Sequence, residues 1–548
     1  MKRNLKIIRT AITKDIVTFN PQRYDSITNA EMIRLCSGRL YSTIPNEDFS
    51  SYVLKGEIAD GEPIQVDQLG KVWRIVINRN AKWDDGTPIT SEDIIHTFKS
   101  MFDPILQNPK SSNLISSHIT ILNAKEYFNQ RNKQEIVKWD DVGVKKIDEF
   151  TVELETVESH DSIEVMMHFV NAASSIVRKE THSLYTNNGN TDYGNDVLKF
   201  SSSGPYILRE WVKGKKIRFI KNPYYIYEEH IKLDEFHVII EPDEKKCIEY
   251  YNYDLIDYIE ISKSNLCMID EDEQVIVAPH KIINGISINT SNPNQAILKN
   301  KKFRNALYYG INRLELANIL GEVPANYYLS TARIIDRKNG KSYRSTKKAQ
   351  ELVEENHSYN KVFAIQQFEE ALRETSVNKV SITLLCPNEA NSKVIADYLK
   401  ASFEEIFSGR LALKIEIVDF LDMRKKMKMW EEDSGSYELG FCGWGGSTLA
   451  PWNALKYFTS NYPQKNEPFS NADFDELFYR ASYGDQRFES NERLDITCAM
   501  EKILMDEKPY IPVTEKTVYY IKKQYVKLSF DHYIPVIGFG FKYCDIED

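Results

Sequence analysis

Between Trp73 and Phe102 the apolar residues change period, from the two-residue repeat of a strand to the 3.6-residue repeat of a helix. Trp73, Ile75 and Ile77 alternate as in a half-buried strand. Asp84-Asp85-Gly86 then supplies turn chemistry, and Pro88 stiffens the exit. Thr90 or Ser91 can accept a hydrogen bond from the free N–H groups that open a helix. Glu92 and Asp93 lie where the helix dipole favours negative charge. Ile94, Ile95, Phe98, Met101 and Phe102 mark the buried face. The stretch therefore reads as strand, turn and capped helix, and the rest of the chain has to supply layers to pack against it.

The chain has 548 residues, a length that points to roughly three or four structural units. Apolar residues make up 42% and mean hydropathy is −0.46, an ordinary globular balance. The 32 tyrosines suit wet internal surfaces as well as cores, since each pairs an apolar ring with a polar tip. Lys and Arg total 70 against 80 Asp and Glu, and a net charge of −10 argues against nucleic acid as a partner. The basic runs Lys213–Lys216 and Arg424–Lys428 read as solvated turns or helix faces. No stretch of about 18 apolar residues is present to span a membrane. The basic opening MKRNLKIIRTAITKDIV lacks the long apolar core of a signal peptide. The first cysteine is Cys36, so no lipoprotein-type site precedes it. The seven cysteines contain no C-x-x-C pair. They support neither a zinc ribbon nor a dense disulfide framework, and leave room for a single bridge, for example Cys247 to Cys267.

Taken in order, Leu5–Ile8 reads as a strand, Phe19-Asn20-Pro21 as its turn, and Ala30–Leu40 as a helix. Val142–Asp148 and Thr151–Leu154 are two short strands about a turn. Tyr206–Leu208 to Ile217–Ile220 is a hairpin closed at Lys213-Gly214. Residues 236–261 alternate about the acidic Glu241–Glu244. Lys301–Leu320 reads as one helix with Phe303, Leu307, Ile311 and Leu314 on one face, ended by Gly321 and Pro324. Val380–Leu385, Asn391–Phe407 and Leu411–Ile417 form a βαβ unit, so parallel strands are expected. Tyr437–Trp444 is a further strand running into glycines, and the segment after Pro512 has strand character.

Several of these stretches resemble, in order, one family. Trp83-Asp84-Asp85-Gly86-Thr87-Pro88-Ile89-Thr90 with Glu92-Asp93-Ile94 is similar to the W-x-D-G-x-P signature of the peptide/nickel class of extracellular solute-binding proteins, which serve ABC importers. Thr18–Pro21 with Gly38–Tyr41, Val142–Leu154, Gly204–Tyr225 and Phe303–Arg313 resemble further motifs of that class. The resemblance implies an α/β, two-lobe periplasmic-binding-protein-like fold (class II, large type with an extra domain) with mixed sheets flanked by helices. It implies a first-lobe core domain from 1–41, 171–275 and 512–548, an inserted domain over 42–170, and a second lobe over 276–511. It also implies a monomer that captures an oligopeptide or peptide-like solute between lobes and hands it to permease subunits. It would work outside the cytoplasm, as a cell-surface lipoprotein or in the periplasm, its export signal absent from the sequence given. A metal chelate as ligand, or a sensor read by a signalling partner, are the alternatives.

No G-x-S-x-G, H-E-x-x-H or P-loop pattern is present, and the ten histidines have no ligand spacing. No enzyme activity, metal site or cofactor is expected. The binding segment implied by the resemblance is Cys442–Pro451. Gly443 and Gly445 would offer backbone groups to the ligand and Trp444 a flat wall; the alternative for Trp444 is a core residue. The family's Asp, which pairs with a peptide's α-ammonium, falls on Ser447, its Tyr on Thr448 and its acidic residue on Ala450. A hydroxyl at Ser447 offers a hydrogen bond without charge, about half the strength of a charge-assisted one. Asp25 and Ile27 would contact ligand from the other lobe, with Asp25 able to meet an amine; a solvated loop carboxylate is the alternative. Lys110 and Ser111, in the loop Asn108–Asn113, complete the set, Lys110 suiting a ligand carboxylate or else an ordinary surface position.

Overall fold

The computed structural model describes residues 5–46, 52–115, 119–130, 136–270, 275–336, 340–356, 359–388, 390–427, 437–445, 449–462, 469–484, 490–529 and 540–547. The chain divides into two units, Met1–Ile276 with Tyr519–Asp548, and Val277–Val518. The long strands Val275–Ile288 and Tyr510–Lys522 carry the chain from one to the other.

The first unit holds a mixed sheet. Tyr206–Val212 and Lys216–Lys221 form the expected antiparallel hairpin, and Lys216–Lys221 also pairs antiparallel with Glu235–Ile240. Glu235–Ile240 runs parallel to Ile7–Ile12 over six register pairs, Ile7 opposite Glu235 through Ile12 opposite Ile240. Tyr258–Ile261 lies on the other side of Ile7–Ile12 and pairs antiparallel with Tyr519–Lys522. Ile8, Phe19, Tyr206, Phe219 and Phe236 close a core over one face, against the helix Ile27–Cys36. That helix stops four residues short of Leu40, because the Ser37 backbone N–H closes the last turn on Ile33 O and Ser37 is extended. Residues 236–261 are not continuous strand: Asp243 caps a helix, Glu244–Asn252, whose Cys247, Ile248 and Tyr251 turn inward.

A second core in this unit surrounds Trp73, Trp83, Ile94, Phe98 and Phe102. Val72–Val76 pairs with Thr151–Glu155, which pairs with Val144–Asp148, all antiparallel. The helix Ser91–Phe102 packs against them with a complete capping box. Thr90 Oγ1 accepts the Glu92 backbone N–H at 3.3 Å, and the Asp93 carboxylate accepts the Thr90 backbone N–H at 3.1 Å. The turn before it needs Gly86, whose φ of +84° carries the chain past Tyr224; a Cβ there would sit 3.1 Å from the ring.

In the second unit, Val380–Pro387 runs parallel to Leu411–Val418 through the helix Ala390–Ile406, as the βαβ pattern requires. Val380–Pro387 is also parallel to Leu439–Trp444, which pairs antiparallel with Ile283–Ile288. The stretch Lys301–Leu320 is two helices, Lys301–Tyr309 and Arg313–Leu320. Asn312 opens the second by accepting the Glu315 N–H. The break resets the helical phase, so Leu314 is 63% exposed while Leu316 and Leu320 are buried. Arg313 is buried instead, its guanidinium donating to Ala325 O at 3.0 Å, Pro512 O at 2.8 Å and Tyr308 O at 3.0 Å. None of the seven cysteines is in a disulfide; Cys247 is buried and Cys267 exposed, so the bridge suggested for them is absent.

Candidate functional site

On the first unit the turn after Pro21 and the segment after Asn108 are tied together by a buried amide network. Gln22 Nε2 donates to Thr97 O at 2.9 Å and to Ser100 Oγ at 2.8 Å, and Asn108 Nδ2 donates to Gln22 Oε1 at 2.8 Å. The Lys110 backbone N–H donates to Gln22 O at 3.3 Å. This segment is not the loop expected from sequence but a 3-10 turn, Pro109–Ser111, running into the short helix Ser112–Ile115. Ser111 faces inward and is buried, whereas Lys110 stays partly open.

The network brings Lys110 to Tyr24 and Asp25. Lys110 Nζ stands 3.8 Å from the centroid of the Tyr24 ring, a cation–π contact. Burial pushes the Lys110 ammonium below its usual range, and the charge of Asp25 pulls it part of the way back. Asp25 is exposed and accepts Lys14 Nζ at 3.0 Å. Burial would raise its carboxyl, but the hydrogen bonds from Lys14 and Ser26 and the Lys14 charge hold it below the usual range. Ile27 opens the helix beside it and is 56% exposed. Tyr24 was not singled out from sequence; its only signal is adjacency to Asp25, which says nothing of Lys110 until the amide network is seen.

On the second unit, Gly443 and Trp444 end the strand Leu439–Trp444, and Gly445 follows it. Trp444 sits opposite Ile283 and Gly443 opposite Asn284. Gly443 is exposed; a Cβ there would come within 2.6 Å of Ile282 and 2.9 Å of Asn284 Oδ1. Trp444 is partly buried, edge-on to Phe458 at 5.0 Å, with Tyr510 at 6.3 Å and Tyr457 at 6.5 Å. It packs against the edge of the core as a partly buried ring. Its Nε1–H is enclosed and has no acceptor among the described residues. The Tyr510 hydroxyl holds the strand pair, donating between Cys442 O at 2.6 Å and Ile283 O at 3.0 Å. Ser447 lies outside the described residues.

A family model described as bacterial extracellular solute-binding proteins, family 5 (middle), matches residues 54–466. The chain belongs to this family. As a family 5 solute-binding protein it shares 23% identity with the dipeptide-binding protein DppE of Bacillus subtilis over 89% of its own length and 84% of that relative's. It is 30% identical to the periplasmic oligopeptide-binding protein OppA of Escherichia coli over 28% of its own length and 26% of that protein's. Its fold matches the peptide-bound OppA of Listeria monocytogenes with a TM-score of 0.71 at 19% identity, covering all of both chains. It matches the unliganded open form of the periplasmic murein tripeptide-binding protein MppA at 0.75 and 18% identity, covering 99% of this chain and 98% of that one. The solute-binding protein therefore has the α/β two-lobe architecture of this class. Among its described residues no group of three or more His, Cys, Asp or Glu is placed to hold a metal, and no helix is long and apolar enough to cross a membrane.

Proposed function

We propose that this protein captures a peptide or peptide-like solute and delivers it to the permease of an ABC importer, acting as a monomeric binding component rather than an enzyme. We place it outside the cytoplasmic membrane, as a surface lipoprotein or in the periplasm. The proposed organisation is a core domain from 1–41, 171–275 and 512–548, an inserted domain over 42–170, and a second lobe over 276–511; the two separate cores of the first unit support the inserted domain. Family membership supports the reading, and one observation carries it toward peptides: the exposed Gly443 stands with the half-buried Trp444 and Gly445 at a strand end. An extended peptide is held mainly through its backbone, as an added strand is. Asp25, Ile27, Lys110 and Ser111 are the proposed contacts from the first unit, with Ser111 acting through its backbone because its side chain is buried.

The test concerns the ligand's amine. A desolvated α-ammonium needs an anionic partner, and Ser447 is not one. Calorimetry on a peptide series with free and acetylated N-termini should show less than about 1 kcal/mol of difference. Ser447→Asp should create a preference for the free amine. A wild-type loss of about 2–3 kcal/mol on acetylation, abolished by Asp25→Asn, would place the anchor at Asp25 instead.

A further inference from the structure

Among the described residues Lys456 is a cation without an anion. It follows the helix Pro451–Leu455 and opens the 3-10 turn Lys456–Phe458. It is partly buried, and among the described residues its Nζ makes no hydrogen bond and no ion pair; it faces only the Tyr462 ring, 5.7 Å from the centroid. Burial lowers its pKa, and among the described residues no carboxylate offsets that. The rings beside it form a strip: Tyr462 lies 4.7 Å from Tyr457, and Tyr457 lies 6.5 Å from Trp444. Trp444, at the far end of the strip, has an enclosed Nε1–H with no acceptor among the described residues.

Among the described residues Lys456 thus leaves a charged donor unspent beside a run of aromatic rings. A partly desolvated ammonium costs free energy until something supplies acceptors. A ligand ammonium would find no charge partner here and would be repelled by Lys456. We propose that this face of the second unit takes a carboxylate carried by the ligand, with Lys456 Nζ as its charge partner and the Tyr462 and Tyr457 rings beside it. The inference rests on the peptide-binding reading and sharpens it: the family's acidic residue falls on Ser447, and the charge offered nearby in the chain is positive. The carboxylate belongs either to the peptide's C-terminus or to a side chain.

The experiment uses the full chain and four probes in calorimetry: tetra-alanine with a free C-terminus, its C-terminal amide, and that amide carrying glutamate or glutamine at the second position. At least one carboxylate probe should bind about tenfold to a hundredfold tighter than its neutral counterpart. A difference between acid and amide assigns the C-terminus; a difference between glutamate and glutamine assigns a side chain. Lys456→Gln should abolish the discrimination and Lys456→Arg should keep it, with thermal melts showing that both variants fold. Probes that bind without discrimination, or discrimination that survives Lys456→Gln, overturn the inference and leave the peptide reading standing. Failure of all four to bind wild-type protein overturns both.

Discussion

Glu57 is a carboxylate that water does not reach, and Arg39 makes that tolerable. Its oxygens accept the Arg39 backbone N–H at 3.0 Å, Nε at 3.1 Å and Nη2 at 3.3 Å, and the Tyr225 hydroxyl at 2.9 Å. Both side chains are at most 2% exposed. Removing one partner strands the other charge, so Arg39→Met should cost about 3–5 kcal/mol in denaturant unfolding. Arg39→Met with Glu57→Leu should cost less than the single change, because no charge is left buried; a double variant as unstable as Arg39→Met would show that packing, not charge, sets the penalty. Nothing in the sequence marked this pair, since Arg39 stood inside a motif read for its Gly38 and Leu40 neighbours and Glu57 lay in no motif. Trp444 and Asp25 were singled out through the family resemblance, Trp444 within Cys442–Pro451 and Asp25 after the Asn20-Pro21 turn. Lys456 was not, since an unpaired ammonium is defined by what fails to surround it.

Elements whose ends carry their own chemistry were the legible ones. The Ser91–Phe102 helix was readable from Thr90 and Glu92-Asp93 because the cap is local. The break at Gly310 was not, because Phe303, Leu307 and Ile311 keep one helical phase up to it and all three are buried. Glu92 tests the capped helix by pH. Hydrogen bonds from Lys146 and Lys179 bring its carboxyl down to about 2 from an ordinary 4.5. A depressed folded-state pKa adds stability above the unfolded value, so this contribution should be present above pH of about 4.5 and fade toward pH of about 2. The side chain is 47% exposed, so solvent screening limits the effect. Glu92→Gln should flatten the acid limb of the stability profile by less than about 1 kcal/mol. Gly285 is the steric counterpart in the second unit. A Cβ there would lie 2.3 Å from Ile511 O and 2.7 Å from the Tyr510 ring, the residue that holds Cys442 and Ile283 together. Gly285→Ala should cost about 1–3 kcal/mol by overpacking and weaken any ligand bound at Trp444, whereas a neutral result would mean that the two strands separate freely.

At the scale of the whole chain, packing rather than covalent cross-linking holds the fold. Cys36, Cys247, Cys386, Cys442 and Cys544 are buried and in no disulfide, Cys498 is half-buried and Cys267 is exposed. Burial pushes the Cys36 and Cys544 thiols upward, away from the reactive thiolate. Native-state alkylation followed by peptide mass mapping should therefore label Cys267 first, and added reductant should leave the melting temperature unchanged; a fall on reduction would reveal a bridge. The division into units has a further consequence, in the order of manufacture. The strand Tyr258–Ile261 of the first unit finds its partner in Tyr519–Lys522. The whole second unit, Val277–Val518, lies between them as one uninterrupted run. At about 5–20 residues per second, the ribosome needs on the order of 13–50 s to reach that partner. For that interval one edge of the first sheet stands open, the kind of edge that recruits wrong strands. The second unit, made in one piece, is complete before the first can close. A ribosome that stalls shortly before Tyr519 releases a finished second unit joined to an unfinished sheet, a product that quality control must recognise by its bare edge.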